Sequence, residues 1–372
     1  FTARSISWIG VNGTSLDLDS VAADTSAFLV RFSSDGNIEW LRGPVVLDLM
    51  YLSSIDVAPS GDVFAAGFYQ GEVFFNGVTA SLPFTEHVQG WLAKFTPAGD
   101  LSWITALLGA GRNVVSDVVF AADQAAVAAI GSFQADCQMQ TQDDTGNNTF
   151  SLMLNGTASR TVFVAMIDSI SGNVSWVQTL SDADTANPAV TCDDHHYVEQ
   201  APLSGDVYIV GCFSGALNLT TSPVGNAAVV TLATNSPYNS IYVAKFLANG
   251  TLVWTQALLS DNISDYPFSA DIVKHPYVDQ WHTVREMPIV IDEGVLVSAF
   301  AQGSWRPLSL QSCIDPHPIE PADAPYGALY AAAVDSNGCI AWITLVAYGR
   351  AQPAGLVPQA TLGTYALFGT FT

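Results

Sequence analysis

The sequence predicts an all-β protein assembled from repeated antiparallel hairpins, and three observations support this fold class. Apolar runs of strand length end in tight turns that carry glycine. One hairpin unit, an apolar run followed by Gly-x-[ILV]-x-Trp, recurs at 27–40, 90–103, 162–176, 241–254 and 329–342. A second hairpin unit recurs between these copies, at 53–68, 116–133, 197–213, 287–300 and 356–371. Internal repetition of this kind indicates a repeat architecture.

The first hairpin unit is typified by "GWLAKFTPAGDLSW". Its turn requires a residue with positive φ, which glycine adopts without steric cost. Strand alternation then places the apolar residue and the Trp on one face of the sheet. We therefore expect the Trp residues to pack between neighbouring repeats rather than to form a sugar-binding set. The turn glycines are Gly36, Gly99, Gly172, Gly250 and Gly338, and the Trp residues are Trp40, Trp103, Trp176, Trp254 and Trp342.

The second hairpin unit is typified by "SGDVYIVGCF". Its copy at 116–133, "SDVVFAADQAAVAAIGSF", lacks the turn glycine and is rich in alanine. Alanine alone would favour a helix. The position of this copy in the repeat predicts strands instead.

Two hairpins per repeat make a four-stranded meander, and successive meanders are typical of β-propeller blades. The sequence resembles the "seven-bladed β-propeller" repeat family, whose units carry F-V-A-K-F, G-N-L-x-W and G-N-V-Y-V-x-G motifs. The best matches are "GWLAKFTPAGDLSW" and "SGDVYIVGCF", and the resemblance covers nearly the whole chain. It implies the fold and an association with surface and secreted proteins, and it implies little about activity.

We expect a single domain over 1–372 with five blades. Four whole blades are predicted at 53–106, 116–180, 197–259 and 284–346, and the fifth is shared between 1–40 and 355–372. Ring closure of this kind removes exposed sheet edges. The alternative is a segment of a longer array with six to eight blades. Long inserts at 134–160, 214–239 and 301–327 are expected to be surface excursions with an additional short hairpin.

The composition excludes some partners. The chain has 372 residues, 49% of them hydrophobic, and its net charge is -23. Such an acidic surface repels a phosphate backbone, so nucleic acid is not an expected partner. The longest apolar stretches are shorter than the roughly 18 residues that span a bilayer, so no membrane span is predicted. The sequence begins at Phe1 without a signal peptide, which we expect to have been removed or to lie outside the sequence.

N-x-[ST] sequons predict a secreted, N-glycosylated protein. They occur at Asn12, Asn147, Asn155, Asn173, Asn218, Asn249 and Asn262. These seven exceed the roughly three expected by chance for this composition. The alternative explanation is that a Ser/Thr-rich β protein accumulates sequons in its turns.

Cysteine usage also suits an oxidising compartment. We favour a Cys192–Cys212 disulfide, because both residues should lie toward one face of one blade. Cys137–Cys192 and Cys313–Cys339 are the competing pairs, and the odd count leaves at least one thiol free or bonded to another chain.

The stretch "CDDHHY" at 192–197 most resembles a chemical site. It lies in a connection between blades, as does "KHPYVDQWH" at 274–282. Together they offer Asp193, His195, His196, His275 and His282 as metal ligands. No H-x-x-x-H or C-x-x-C spacing is present, and adjacent histidines on an extended segment point to opposite sides. A polar connector or interface is therefore favoured over a metal site.

Catalytic candidates are sparse. Asp117, Glu199 and Glu286 lie near the predicted innermost strands, where propeller glycosidases carry carboxylates, but they occupy different registers. No nucleophile, phosphate-loop or dinucleotide motif is present. No cofactor is predicted. Calcium at Asp-rich pieces such as "QDDTGNN" is the alternative to plain turn chemistry.

These observations favour a non-catalytic extracellular module. We expect a structural or interaction protein of a cell surface, sheath, filament or appendage, with extracellular proteins, glycans or copies of itself as partners. The alternative is a carbohydrate-active or metal-dependent hydrolase that uses the mouth of the propeller channel.

Overall fold

A computed structural model describes most of the chain. The backbone is described at 5–9, 15–19, 27–46, 48–75, 80–121, 125–156, 160–182, 196–201, 204–213, 215–223, 227–233, 240–260, 266–273, 294–301, 305–309, 328–335, 337–348, 351–358 and 365–371. Side chains are described within 27–257, outside the gaps, and at 334, 335 and 337–339. Two compact units, 1–177 and 178–372, are described separately below.

The described residues form antiparallel strands and contain no helix, which confirms the all-β prediction. No segment of the described chain is a helix of the length and apolarity that crossing a bilayer requires. The strands are β1 Ser5–Ile9, β2 Ser15–Asp19, β3 Leu29–Phe32, β4 Ile38–Arg42, β5 Val45–Val46, β6 Leu49–Val57, β7 Val63–Phe74, β8 Ser81–Phe95, β9 Leu101–Gly109, β10 Val114–Ala121, β11 Ala126–Gln134, β12 Cys137–Asp143, β13 Asn148–Leu154, β14 Arg160–Asp168, β15 Val174–Asp182, β16 Tyr197–Gln200, β17 Val207–Phe213, β18 Ala216–Thr220, β19 Val229–Ala233, β20 Ser240–Phe246, β21 Leu252–Ser260, β22 Tyr266–Val273, β23 Gly294–Ala301, β24 Trp305–Ser309, β25 Ala328–Val334, β26 Ile340–Tyr348, β27 Ala351–Pro358 and β28 Tyr365–Phe371.

Four repeats form four-stranded meanders, as the hairpin pattern predicts. Sheet I contains β6, β7, β8 and β9, and sheet II contains β10, β11, β14 and β15. Sheet III contains β16, β17, β20 and β21, and sheet IV contains β22, β23, β25 and β26. Two further hairpins, β3–β4 and β27–β28, match the second and the first half of a meander respectively.

The turns follow the glycine prediction closely. All five turn glycines of the first hairpin unit have φ between 72° and 83°. In the copy that lacks glycine, Ala125 adopts φ 48° and β11 follows directly. The left-handed turn therefore persists without glycine, and the repeat register overrides the helical preference of alanine.

A β-bulge recurs at one register between the first two strands of a repeat. The register shifts between Leu52 and Ser54 in sheet I, between Val115 and Asp117 in sheet II, and between Pro267 and Ser269 in sheet IV. The same shift occurs in β27–β28. Such a bulge bends its strand and increases its twist at the same point of these four repeats.

The first strand of sheet IV differs from the prediction. We expected the first hairpin of this blade at 287–300, whereas Tyr266–Val273 pairs with β23 and carries the recurrent bulge. Pro267 lies beside this bulge, and bulges are among the positions where sheets tolerate proline.

Each described insert extends the sheet that precedes its own repeat. We call β12–β13 the first insert hairpin and β18–β19 the second insert hairpin. β12 pairs with β9, the last strand of sheet I, and β18 pairs with β15, the last strand of sheet II. Likewise β24 pairs with β21, and the end of β7 pairs with β5. The additional hairpin expected in the inserts is therefore confirmed for 134–160 and 214–239, and it joins consecutive repeats by main-chain hydrogen bonds. Only the strand β24 is described in the insert at 301–327, so a hairpin there stays a prediction.

The cores of the first unit lie between consecutive sheets. One apolar cluster joins the β3–β4 hairpin to sheet I, and another joins sheet I to sheet II. Trp40 and Trp103 each pack against the turn glycine of the next repeat, where a Cβ would lie within about 3 Å of the indole. Trp40 Nε1 also donates to the Pro97 carbonyl at 2.9 Å. In the second unit Trp254 meets Gly338 in the same way. The predicted packing role of these Trp residues is confirmed at three positions.

Candidate functional site

Asp117, the catalytic candidate of sheet II, is engaged in contacts between two sheets. Its Oδ1 accepts a hydrogen bond from Ser54 Oγ at 2.6 Å and another from the Val118 amide at 2.9 Å. Two residues after Ser54 on β6, Asp56 Oδ2 accepts a hydrogen bond from the Phe120 amide at 2.6 Å. Two carboxylates thus fasten the first strands of sheets I and II to each other. This arrangement stabilises the packing of the sheets and orients no carboxylate as a free acid or base.

Glu199 lies on β16 opposite Tyr208, in the register that Asp56 occupies opposite Phe64. Asp117 instead lies opposite Ile130, two residues further along the ladder. The repeat therefore gives these two candidates different registers, as the sequence predicted. Glu286 lies outside the described residues.

His196 is the described histidine of the "CDDHHY" stretch, and it is buried completely. Its Nδ1 shares a hydrogen bond of 3.1 Å with the Tyr242 hydroxyl. A glycine at 211 makes room for both side chains, since a Cβ there would lie 2.4 Å from His196 Nδ1. Burial raises the pKa of Tyr242 well above its ordinary value, so its hydroxyl stays neutral. His196 is therefore a buried structural residue that contacts Tyr242 of sheet III.

The other proposed metal ligands, Asp193, His195, His275 and His282, lie outside the described residues. Within the described part of the chain, no group of three His, Cys, Asp or Glu side chains converges in a way that could hold a metal ion. The metal hypothesis for the remaining residues stays a prediction.

The "QDDTGNN" segment forms the turn of the first insert hairpin. Asp143 Oδ1 accepts hydrogen bonds from the Thr145 hydroxyl at 2.6 Å, the Thr145 amide at 3.0 Å and the Asn147 amide at 2.9 Å. The Thr145 hydroxyl, followed by the Asn147 amide, holds the pKa of the Asp143 carboxyl below its ordinary value. Its carboxylate oxygens already have donors from the turn itself, and turn chemistry accounts for the residue types.

Five of the sequon asparagines are described, and they differ in exposure. Asn147, Asn155 and Asn249 are exposed, each in a turn or just beyond a strand end. Asn173 and Asn218 are half-buried. Asn12 and Asn262 lie outside the described residues. Exposed asparagines in turns are geometrically suitable for glycosylation, so three sequons are placed where a glycan could be attached.

Cys137 is a free thiol, which contradicts its proposed pairing with Cys192. It begins β12, is fully buried, and belongs to the apolar cluster between sheets I and II. Burial raises the pKa of Cys137 to about 12, so it behaves as a small apolar side chain rather than a nucleophile. Cys212 lies buried in β17 and Cys339 lies at the turn before β26. Cys192 and Cys313 are outside the described residues, so the pairs Cys192–Cys212 and Cys313–Cys339 stay predictions.

Two buried ion pairs were not foreseen from the sequence. Lys245 Nζ lies 3.0 Å from Asp206 Oδ2, with side chains 10% and 12% exposed. Lys94 and Asp62 form the same pair at 3.2 Å in sheet I. Each lysine also lies over the ring of an aromatic residue, 5.2 Å from the Tyr208 centroid in sheet III. The sequence contains a signal for these ion pairs: the aspartates belong to "GDV" and the lysines to "AKF", and both triplets occur in the same two repeats.

A cavity of about 650 Å³ lies between the β3–β4 hairpin and sheet I. Its lining is mixed and includes the apolar side chains of Phe28, Met50 and Trp91. Arg42 and Asp100 stand in its wall, with Arg42 Nη2 3.4 Å from Asp100 Oδ1. The Arg42 guanidinium also donates to the carbonyls of the next turn, from Nε to Gly99 at 2.9 Å.

No family model and no curated protein matches the chain.

Proposed function

We propose that the protein is a non-catalytic, extracellular, glycosylated β-propeller that serves as a structural or interaction module of a cell surface, sheath, filament or appendage. The observation that carries this proposal is the pairing of each insert with the sheet before it. Main-chain pairing between repeats resists separation of the repeats under load better than side-chain packing alone, because several ladder hydrogen bonds must break together.

The repeat-specific side chains support the same function. The Trp residues, the Ser54–Asp117 hydrogen bond and the buried Lys–Asp pairs all join strands or repeats. The regular positions of the chain are thus used for rigidity, which suits a scaffold that presents its connections to a partner.

The propeller itself is part of the proposal. The β27–β28 hairpin supplies the first two strands of a meander, and β3–β4 supplies the last two, so together they would complete a fifth blade. The β1–β2 hairpin would then be the insert of that blade and would extend β26, as the other inserts extend their neighbours. The cavity beside β3–β4 would adjoin the strands of a completing hairpin.

The extracellular setting rests on the sequons and cysteines. Three sequon asparagines are exposed, and a Cys192–Cys212 and a Cys313–Cys339 disulfide would fit an oxidising compartment. The net charge of -23 keeps such a protein soluble at high density and repels acidic polymers.

Labelling of intact cells that produce the protein tests this function. Immunogold labelling without permeabilisation should mark the cell exterior or an appendage, and cross-linking of the native material should join the protein to copies of itself or to other extracellular proteins. Purified protein should hydrolyse no glycoside or ester, with or without added Zn²⁺ or Ca²⁺. Chelator-sensitive hydrolysis would favour the enzyme alternative, and labelling confined to the cell interior would contradict the proposal.

A further inference from the structure

The outermost strand of the first insert hairpin, β13, is an uncharged edge. β13 pairs with β12 on one side, and no strand among the described residues pairs with its other side. Its sequence NTFSLML contains no Lys, Arg, Asp, Glu or Pro. Edge strands usually carry charge, proline or a bulge, because an unprotected edge can pair with a strand of another molecule. β13 lacks the first two of these safeguards.

Both ends of β13 carry exposed sequon asparagines instead. Asn147 directly precedes the strand and Asn155 directly follows it, and both are exposed. Thr149, the hydroxyl residue of the first sequon, is exposed as well. Seven residues separate the two asparagines, so their Cα atoms would be roughly 27 Å apart along an extended strand. Two glycans attached there would stand at the two ends of one edge.

We propose that N-glycans on Asn147 and Asn155 shield the β13 edge and prevent it from pairing with the same strand of a second copy. An incoming strand must approach to about 4.8 Å over several residues, and a bulky hydrated glycan at each end blocks that approach. The inference rests on the proposed extracellular, glycosylated function and adds a role for two particular sites.

The second insert hairpin shows the same association of sequon and edge. Its outer strand β19, VVTLA, is also uncharged and has no partner on its outer side among the described residues. Asn218 on β18 lies directly opposite Thr231 of β19, and Asn218 Oδ1 accepts a hydrogen bond from Thr231 Oγ1 at 2.7 Å. A sequon thus accompanies the outer edge of each of the two insert hairpins.

Removal of the two glycans tests the inference. The full chain is expressed in a secretory eukaryotic host as wild type, as Asn147→Gln/Asn155→Gln and as Asn249→Gln. Asn249 is the matched control, because it is an exposed sequon asparagine in the turn before β21 of sheet III, whereas β13 belongs to sheet I. Mass spectrometry measures the glycan occupancy of each site. Light scattering measures the molecular mass over a hundredfold range of concentration, and hydrogen exchange measures the protection of the β13 amides.

We expect the wild type and Asn249→Gln to stay at the same mass across this range. The double variant should form dimers or larger species as concentration rises, and its β13 amides should become more protected in those species. Asn147→Gln also removes the hydrogen bond that Asn147 donates to Thr145 Oγ1 at 2.6 Å. A Thr149→Val/Thr157→Val variant removes both sequons but keeps both asparagines, and it should associate in the same way. Adding Met153→Lys, at a position 57% exposed on β13, should return either variant to the wild-type mass.

The outcomes separate this inference from the proposed function. If both sites are occupied and their removal leaves the mass unchanged, the shielding role is overturned and the function stands. If glycans occupy other sequons but not these two, only the shielding role fails. If no sequon is occupied, the extracellular glycoprotein function fails as well.

Discussion

The turn residue Ala125 adopts a backbone conformation that the corresponding turn in sheet I gives to glycine. Gly61 has φ 86° at the equivalent position, and Ala125 has φ 48°. A left-handed conformation costs an L-residue with a Cβ about 1 kcal/mol or more. Its carbonyl accepts a hydrogen bond from the Ser169 amide at 2.9 Å, which helps to hold the strained turn in place.

Ala125→Gly should therefore stabilise the protein. We expect a gain of about 0.5–1 kcal/mol in the free energy of unfolding, because relief of the left-handed strain exceeds the entropy that glycine adds to the unfolded chain. Urea denaturation followed by tryptophan fluorescence measures it. Ala126→Gly, one residue further into β11, is the control and should destabilise by a similar amount. Equal effects of the two substitutions would contradict the role of the turn.

The buried pair Lys245–Asp206 should be stabilising only as a pair. Lys245→Met leaves a carboxylate that is 12% exposed without its cation, and we expect a loss of about 3 kcal/mol. Lys245→Met/Asp206→Asn removes both charges and should lie within about 1 kcal/mol of the wild type. Urea midpoints of the wild type, both single variants and the double variant measure the coupling. A double variant as unstable as the sum of the singles would rule it out.

The pH dependence of this pair has a definite sign. Burial alone lowers the pKa of Lys245, but hydrogen bonds to Asp206 and Tyr208 and their charges outweigh it, so the pKa is raised from 10.5. The stabilising effect is therefore complete below the ordinary lysine pKa and is lost as the pH rises through the raised value.

At the scale of the elements, local patterns determined what could be predicted. The turn glycines and the alternation of apolar residues specify the hairpins, because turn conformation and strand facing depend on neighbouring residues. The partner of each insert could not be predicted, since "CQMQTQD" reads as a strand without indicating which edge it joins. The Lys–Asp pairs and the Ser54–Asp117 hydrogen bond were missed for the same reason: they join residues that are distant in sequence.

Excision of the first insert hairpin should expose the outer edge of sheet I. Replacing 137–154 with a short Gly/Ser linker is expected to cost at least about 2 kcal/mol, because buried apolar surface around Leu107 and Met139 is lost. Hydrogen exchange should show faster exchange of those β9 amides that pair with β12, while those that pair with β8 stay protected. As control, shortening only the turn at 144–146 should leave β9 protected. Protection of β9 in both variants would contradict the role of the hairpin.

At the scale of the whole molecule, an invariant register makes the proposed ring closure testable. In all four complete sheets, the residue of the second strand that lies two positions before Gly67, Gly131, Gly211 or Ala299 is opposite the fourth residue of the apolar run in the third strand. The pairs are Ala65↔Ala93, Ala129↔Ala165, Ile209↔Ala244 and Val297↔Ala332. The bulge next to Gly369 aligns β28 with the second strands of these sheets. In a closed ring, Leu367 of β28 would therefore lie opposite Val30 of β3.

A disulfide between these two positions distinguishes a closed ring from an open array. In a Cys137→Ala background, Val30→Cys/Leu367→Cys should form an intrachain bond, because directly opposed residues of paired strands have a Cα separation of about 4.5–5.5 Å, which suits a disulfide. Val30→Cys/Tyr365→Cys is the control, since Tyr365 lies two residues out of register and beyond easy reach. Non-reducing electrophoresis and peptide mapping of the monomer read the result. An intrachain disulfide in the first variant alone supports five blades with a shared sheet. A covalent dimer indicates exchange of the β27–β28 hairpin between copies. Reduced cysteines in both variants would favour a longer array.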